Sequence, residues 1–180
     1  QEALYRWKLG HHLFNAFTLS SAERLRATLE ATTSDRIATL LYEAAVLLRG
    51  TTSAMWYAES FPPKLYESHI RPTMVEASGT GSGFSGTDNL EFRYFKAAFS
   101  KAMAALSNTY GEPSDWPDDV WKAAYFLADT RVVDLEHHTL LAEKVVGRRA
   151  SLKQERVQSS VAGTHAMIEL PAVEGLRELA

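Results

Sequence analysis

The stretch DWPDDVWKAAYFLADTRVVDLEHHTLLAEKVVG (residues 115–147) decides the fold. Asp115 is placed to cap a helix, Pro117 suits its first turn, and Asp118 and Asp119 complement the positive end of the helix dipole. Ala128, Leu135, Leu141, Ala142 and Val145 recur on one face, and nothing breaks the pattern before Gly147. The reading is one long helix with an adjacent pair, His137 and His138, near its end. Neighbours on a helix point about 100° apart, so only one of the two can face a given ligand. His138 falls nearer the apolar face.

Working outward, the same periodicity fills most of the chain. Residues Glu2 to Leu29 place Leu4, Trp7, His11 and Phe14 on one face, extended by Leu13, Phe17 and Leu25. This helix carries a second doublet, His11-His12. Ser34 and Asp35 can cap a helix running from Ile37 to a stop at Gly50, with Met55, Trp56 and Tyr57 starting a further turn before Pro62-Pro63. Tyr66 to Met74 follows, then a Gly- and Ser-rich loop from Ala77 to Thr87. Thr87 or Asp88 can cap a third long helix, Leu90 to Leu106, with Phe92, Phe95, Phe99 and Met103 as its buried stripe. Arg148 to Gln158 is basic and polar without apolar period, a mobile loop or a place where residues are missing. Leu170 to Leu179 reads as a last short helix. No alternating strand pattern and no internal repeat occurs. The expectation is an all-α helical bundle forming a single domain over residues 1–180.

Composition narrows the function. Of 180 residues, 46% are hydrophobic and 11% aromatic, enough for a packed core rather than a disordered chain. The net charge of −3 and the lack of a long basic run argue against nucleic acid as a partner. With no cysteine, disulfides, Cys-ligated zinc, iron–sulfur clusters and a thiolate haem ligand are excluded within this sequence. No apolar run reaches membrane-spanning length and no signal peptide opens the chain, so a cytoplasmic protein without a membrane partner is expected.

Imidazole is the commonest metal ligand and titrates nearest neutral pH, which makes the two doublets the natural place to look for chemistry. Asp134 and Glu136 beside His137 and His138 suggest an iron or manganese bundle, but the other helices lack the matching Glu-x-x-His of di-iron proteins. A mononuclear site remains open, in which His11 or His12, His69 and His138 gather one iron or zinc. So does a helical binding module whose histidines only pack. Residues 81–86 (GSGFSG) match the dinucleotide fingerprint by letter, but no strand precedes them, and the fingerprint works only between a strand and a helix. Arg71, between Ile70 and Pro72 and close in sequence to Tyr57 and Tyr66, suits a bidentate grip on a carboxylate.

The run His138-Thr-Leu-Leu-Ala-Glu143-Lys-Val-Val-Gly147 resembles the segment of tryptophan 2,3-dioxygenases that carries the proximal haem histidine, and this register selects His138 over His137. Gly163-Thr164 resembles the start of that family's Gly-Thr-Gly-Gly turn, whose threonine contacts the substrate amino group. Ile70-Arg71, Ser82-Gly83-Phe84 and Phe92-Arg93 resemble its Phe-Arg, Ser-Gly-Phe and Phe-Arg series, whose first Arg binds the substrate carboxylate. The N-terminal doublet precedes Arg71 by about the interval that separates the family's distal histidine from that Arg. Trp7 stands where the family has a Phe four residues before the distal histidine, which favours His11; an alignment on His12 differs by one residue.

The chain also departs from that family. Gly163-Thr164 is followed by His165-Ala166, the N-terminal His-Gln and Glu-Leu-Trp are absent, and the interval from Ser82 to His138 is short. The wider superfamily of histidine-ligated haem-dependent aromatic oxygenases is the better match, including L-tyrosine 3-hydroxylases of natural-product pathways and tryptophan or indole oxygenases. The resemblance implies haem b ligated by His138 and His11 or His12 as catalytic acid/base. Arg71 and Thr164 would grip the substrate carboxylate and ammonium. Ser82 would bond the bound oxygen or the carboxylate, and Trp7, Tyr57 and Phe84 would form ring walls. It implies an aromatic amino acid as substrate, L-tyrosine ahead of tryptophan or indole. Oxygen or hydrogen peroxide would be the oxidant, and the protein would be a homo-oligomer.

Overall fold

The structure, a computed structural model, describes residues 1–73 and 89–146. Four long helices account for most of them: α1 (Glu2–Thr28), α2 (Ser34–Ala58), α3 (Leu90–Tyr110) and α4 (Asp118–Val146). No strand occurs among the described residues, and no helix there is long and apolar enough to cross a membrane. The all-α bundle expected from periodicity is what the chain forms.

The element ends follow local chemistry. Thr33, one residue before the expected caps, is extended and its hydroxyl accepts from Arg36 N at 3.3 Å. Asn89 caps α3 by accepting from Phe92 N at 2.7 Å and ties that end to α1 by donating to Asn15 at 2.8 Å. Asp115 lies in a 3-10 turn, Pro113–Asp115, and it is the Pro117 carbonyl that accepts from Trp121 N. α3 stops at Gly111, whose φ of 83° suits glycine.

The largest departure from the sequence reading is in α2. α2 does not stop at Gly50 but continues to Ala58, absorbing the separate turn at Met55–Tyr57. Gly50 is there for packing: a Cβ on it would sit 2.8 Å from the Phe17 ring on α1. Tertiary contact outweighs the helix-breaking tendency of a single glycine.

The helices are ordered α3–α1–α2–α4 around the bundle, by the pairs that pack closely. α1 and α2 are antiparallel. α2 and α4 run in parallel, since Thr51 and Thr52 meet Asp134 while Lys144 reaches the Glu59 carbonyl. α1 and α3 also run in parallel, joined by Asn15–Asn89 near one end and by Glu23 and Arg26 with Tyr94 further along. The starts of α1 and α3 and the ends of α2 and α4 therefore share one end of the bundle.

Because α2 and α3 are not neighbours, the chain crosses between them at that end. The described part of this connection is a helical turn Pro63–Leu65, a π-helical stretch Tyr66–Ile70 and a last helical turn at 71–73, packed on α1 and α4. The wide π turn precedes Pro72, whose ring in a regular helix would press on the carbonyl four residues back.

Two apolar clusters fill the interior. The larger joins Ala22 and Leu25 of α1, Leu41, Ala44 and Leu48 of α2, Phe95, Phe99 and Leu106 of α3, and Val120 and Leu127 of α4. The smaller lies at the shared end: Phe14, Ala54, Met55 and Leu141, with Phe17 and Phe92 against them.

A candidate histidine site at one end of the bundle

The two doublets lie at the same end of the bundle. His11 and His138 come from opposite ends of the described chain, yet a proton on His138 adds to the cost of a proton on His11. Three residues beyond each, Phe14 and Leu141 share the smaller apolar cluster. Burial is the main cause that holds His11 below the usual imidazole range; the Trp7 carbonyl opposes it, and His138 and then His12 reinforce it. Burial likewise lowers His138, opposed by Asp134 one turn earlier. Both are therefore neutral at pH 7.

The tautomer of His11 follows from geometry. Its Nδ1 lies 2.7 Å from the Trp7 carbonyl oxygen, which can only accept. Nδ1 therefore carries the hydrogen and Nε2 keeps a free lone pair. The Trp7 ring lies against the imidazole, centroids 4.3 Å apart and planes tilted by 38°, on the face that the spacing of four predicts. Beside it α1 touches α2 closely: a Cβ on Gly10 would come 2.4 Å from Ala58 Cβ and 2.8 Å from the Ala54 carbonyl.

The other member of each doublet is placed differently. His12 is exposed. His137 meets the edge of Trp56, centroids 5.9 Å apart, and its buried Nδ1 has no hydrogen-bond partner. Tyr57, the expected ring wall, is 38% exposed, while Trp56, next to it, makes the imidazole contact. Arg71 is exposed and its Nη1 donates to both carboxylate oxygens of Glu67 at 3.1 Å. Ser82, Phe84 and Thr164 lie outside the described residues.

The three-histidine metal site does not form. His69 is exposed, with Nδ1 2.6 Å from the hydroxyl of its neighbour Ser68. Among the described residues, no group of three or more His, Cys, Asp or Glu side chains could hold a metal ion. The donors do suit a haem, which would ask the protein for an imidazole ligand and an apolar wall. His138, whose imidazole is held toward its neutral form by burial, stands three residues before Leu141, which packs with Phe14 and Met55.

Sequence reasoning missed two polar groups here, Glu59 and Arg131, and took a third, Asp134, only as a candidate metal ligand. Asp134 is buried on the His138 side of α4; its Oδ1 accepts from Thr52 at 2.9 Å and from Thr51 at 2.6 Å, the latter hydroxyl shared with the Leu48 carbonyl. Glu59, at the end of α2, is pushed up to about 7, mainly by burial, with Lys144 opposing. Its Oε2 is buried without a partner. Arg131 is only 7% exposed and lies over the rings of Phe92, Phe95 and Phe99. The spacing Arg131, Asp134, His138 (i, i+3, i+7) put all three on one stripe of α4 and was the available signal. Glu59 showed no sequence signal, because its burial depends on the crossing of α2 and α4.

No curated protein and no solved structure matches the chain. The family model described as SfmD 3-methyl-L-tyrosine peroxygenase matches residues 1–120, ending before the His137-His138 doublet. Those 120 of 180 residues take in all of α1, α2 and α3, and the chain belongs to the SfmD 3-methyl-L-tyrosine peroxygenase family of oxidoreductases.

Proposed function

We propose that this chain is a haem-dependent peroxygenase that hydroxylates the ring of a tyrosine-class amino acid in natural-product biosynthesis. The observation that carries the reading is the meeting of His11 and His138, two neutral imidazoles from distant helices, against one apolar wall. The family name adds the substrate class and the oxidant. In the net reaction one oxygen of hydrogen peroxide enters an aromatic C–H bond as a hydroxyl, and the other leaves as water.

His138 would hold the iron, with Asp134 one turn away tuning the imidazole. The bound haem supplies the oxidising chemistry. His11 Nε2 would be the group to take a proton from peroxide or the phenol and return it, its orientation locked by Nδ1–H on the Trp7 carbonyl. His12, exposed, is the weaker candidate for this role. Trp7, Tyr57 and Phe84 would flank the substrate ring. Arg71 would leave Glu67 to take the amino-acid carboxylate, Thr164 would receive the ammonium, and Ser82 would bond the oxidant or the carboxylate. Two-point binding holds the ring in one orientation, where proximity contributes most to rate.

The test is a titration of the purified, haem-loaded chain with 3-methyl-L-tyrosine, L-tyrosine and L-tryptophan, followed by hydrogen peroxide. The tyrosines are expected to perturb the Soret band and give a product one oxygen atom heavier. A perturbation by tryptophan alone would overturn the tyrosine assignment. A colourless chain that takes up no haem would overturn the reading as a whole.

A further inference from the structure

Arg131 sits on α4 two turns before His138, about 10 Å along the axis. It is 93% buried, taking its 7% exposure, and its guanidinium carbon lies 5.3 Å from the Phe99 ring, 5.7 Å from Phe95 and 5.9 Å from Phe92. Such rings ease the burial of a cation but accept none of its five N–H bonds in a fork. No carboxylate lies within 4 Å of it among the described residues. Asp134, one turn on, acts on it at longer range and spends its Oδ1 on Thr51 and Thr52. A buried charge without a hydrogen-bonded partner is strongly destabilising, and proteins rarely keep one in a core for packing alone.

Its position is also where two helix backbones stand apart. α3 and α4 are the neighbours that do not approach closely along their backbones; Arg131 and the three phenylalanines fill the space between them. Phe92 belongs to this group and also packs on the cluster of Phe14, Met55 and Leu141 beside the histidines. One apolar wall thus runs from His138 to Arg131.

We propose that Arg131 is the interior carboxylate receptor of this site, closing its fork on a carboxylate of the bound ligand. The carboxylate comes from a porphyrin propionate or from the amino-acid substrate. The inference rests on the haem-site reading only for the first source. Arg71 is paired with Glu67 on the surface; a propionate on Arg131 leaves Arg71 its role toward the substrate carboxylate, whereas a substrate carboxylate on Arg131 replaces Arg71 in that role.

The test compares the full-length chain with Arg131→Met and Arg131→Lys, each checked for helix content and cooperative melting. One arm measures, by absorbance, the uptake of haem against haem dimethyl ester. The other measures, by calorimetry, the binding of 3-methyl-L-tyrosine against its carboxamide, with and without haem. Wild type is expected to prefer the free carboxylate in at least one arm by about 10- to 100-fold, the range of a charged hydrogen bond. Arg131→Met loses that preference, and Arg131→Lys, charged but unable to make the planar fork, keeps only part of it. The arm that responds names the source. If wild type shows no preference in either arm, or Arg131→Met keeps it, the receptor role is wrong while haem uptake still stands. If no porphyrin binds, the haem reading falls and the calorimetric arm alone decides Arg131.

Discussion

In the half of the bundle away from the histidines, Ala22, Leu25, Leu41 and Ala44 are completely buried, and the polar groups among them are met. The Ser21 hydroxyl donates to the Ala44 carbonyl at 2.9 Å and that of Thr28 to the Leu25 carbonyl at 2.7 Å. In the histidine half, His137 Nδ1 and Glu59 Oε2 are buried without partners and Arg131 has only aromatic rings and a distant carboxylate. Thr18, between the two, is the one buried hydroxyl without a partner among the described residues. Unmet polar groups cost stability. Two of the unmet groups, on His137 and Glu59, lie toward the end of the bundle where the histidine site is proposed.

The largest expected effect comes from the packed half. Leu41→Ala leaves a cavity in the main cluster and should cost about 2–5 kcal/mol in urea unfolding. Haem affinity per folded molecule should be unchanged; a parallel loss would mean the two halves are not separate.

Gly10→Ala forces a methyl against Ala58 and the Ala54 carbonyl and should cost about 2 kcal/mol. Because Gly10 adjoins His11, it should weaken haem uptake more than Leu41→Ala does despite the smaller loss of stability.

Glu59→Gln should act with the opposite sign. The folded state holds the Glu59 proton up to about pH 7, above its ordinary range, so wild-type stability is full below pH 4.5 and falls as pH rises toward and past 7. Lys144 and Tyr66 are the charged and titratable groups facing it. Glutamine removes the penalty, stabilising the protein by on the order of 2 kcal/mol at pH 8 and little at pH 4.5. A pH-independent effect would show that Glu59 ionises normally. The smallest effect is that of Thr33→Ala, which removes a cap far from the histidines and should cost about 1 kcal/mol in thermal melts, with no change at the site.

What could be read beforehand was what depends on local pattern. The stripe on residues 118–146 foretold α4, and Trp7 four residues before His11 foretold their contact. The two doublets were treated as one site in the sequence, and the bundle sets His11 and His138 at the same end, close enough for the charge of one to act on the other. Gly50 was misread because its role is defined by Phe17 on another helix. Glu59 and Arg131 were missed for the same reason: an ordinary surface residue type becomes notable only when helix crossing buries it. Trp56, rather than Tyr57, meets an imidazole because α2 runs on as one helix and turns Trp56 toward His137.

The central claim is that the two converging histidines have different tasks, and one measurement addresses it directly: haem titration of His138→Ala and His11→Ala followed by Soret absorbance. The account predicts that His138→Ala fails to retain haem, whereas His11→Ala binds it at near wild-type stoichiometry and loses peroxide-driven turnover. Retention by His138→Ala with loss by His11→Ala would contradict it.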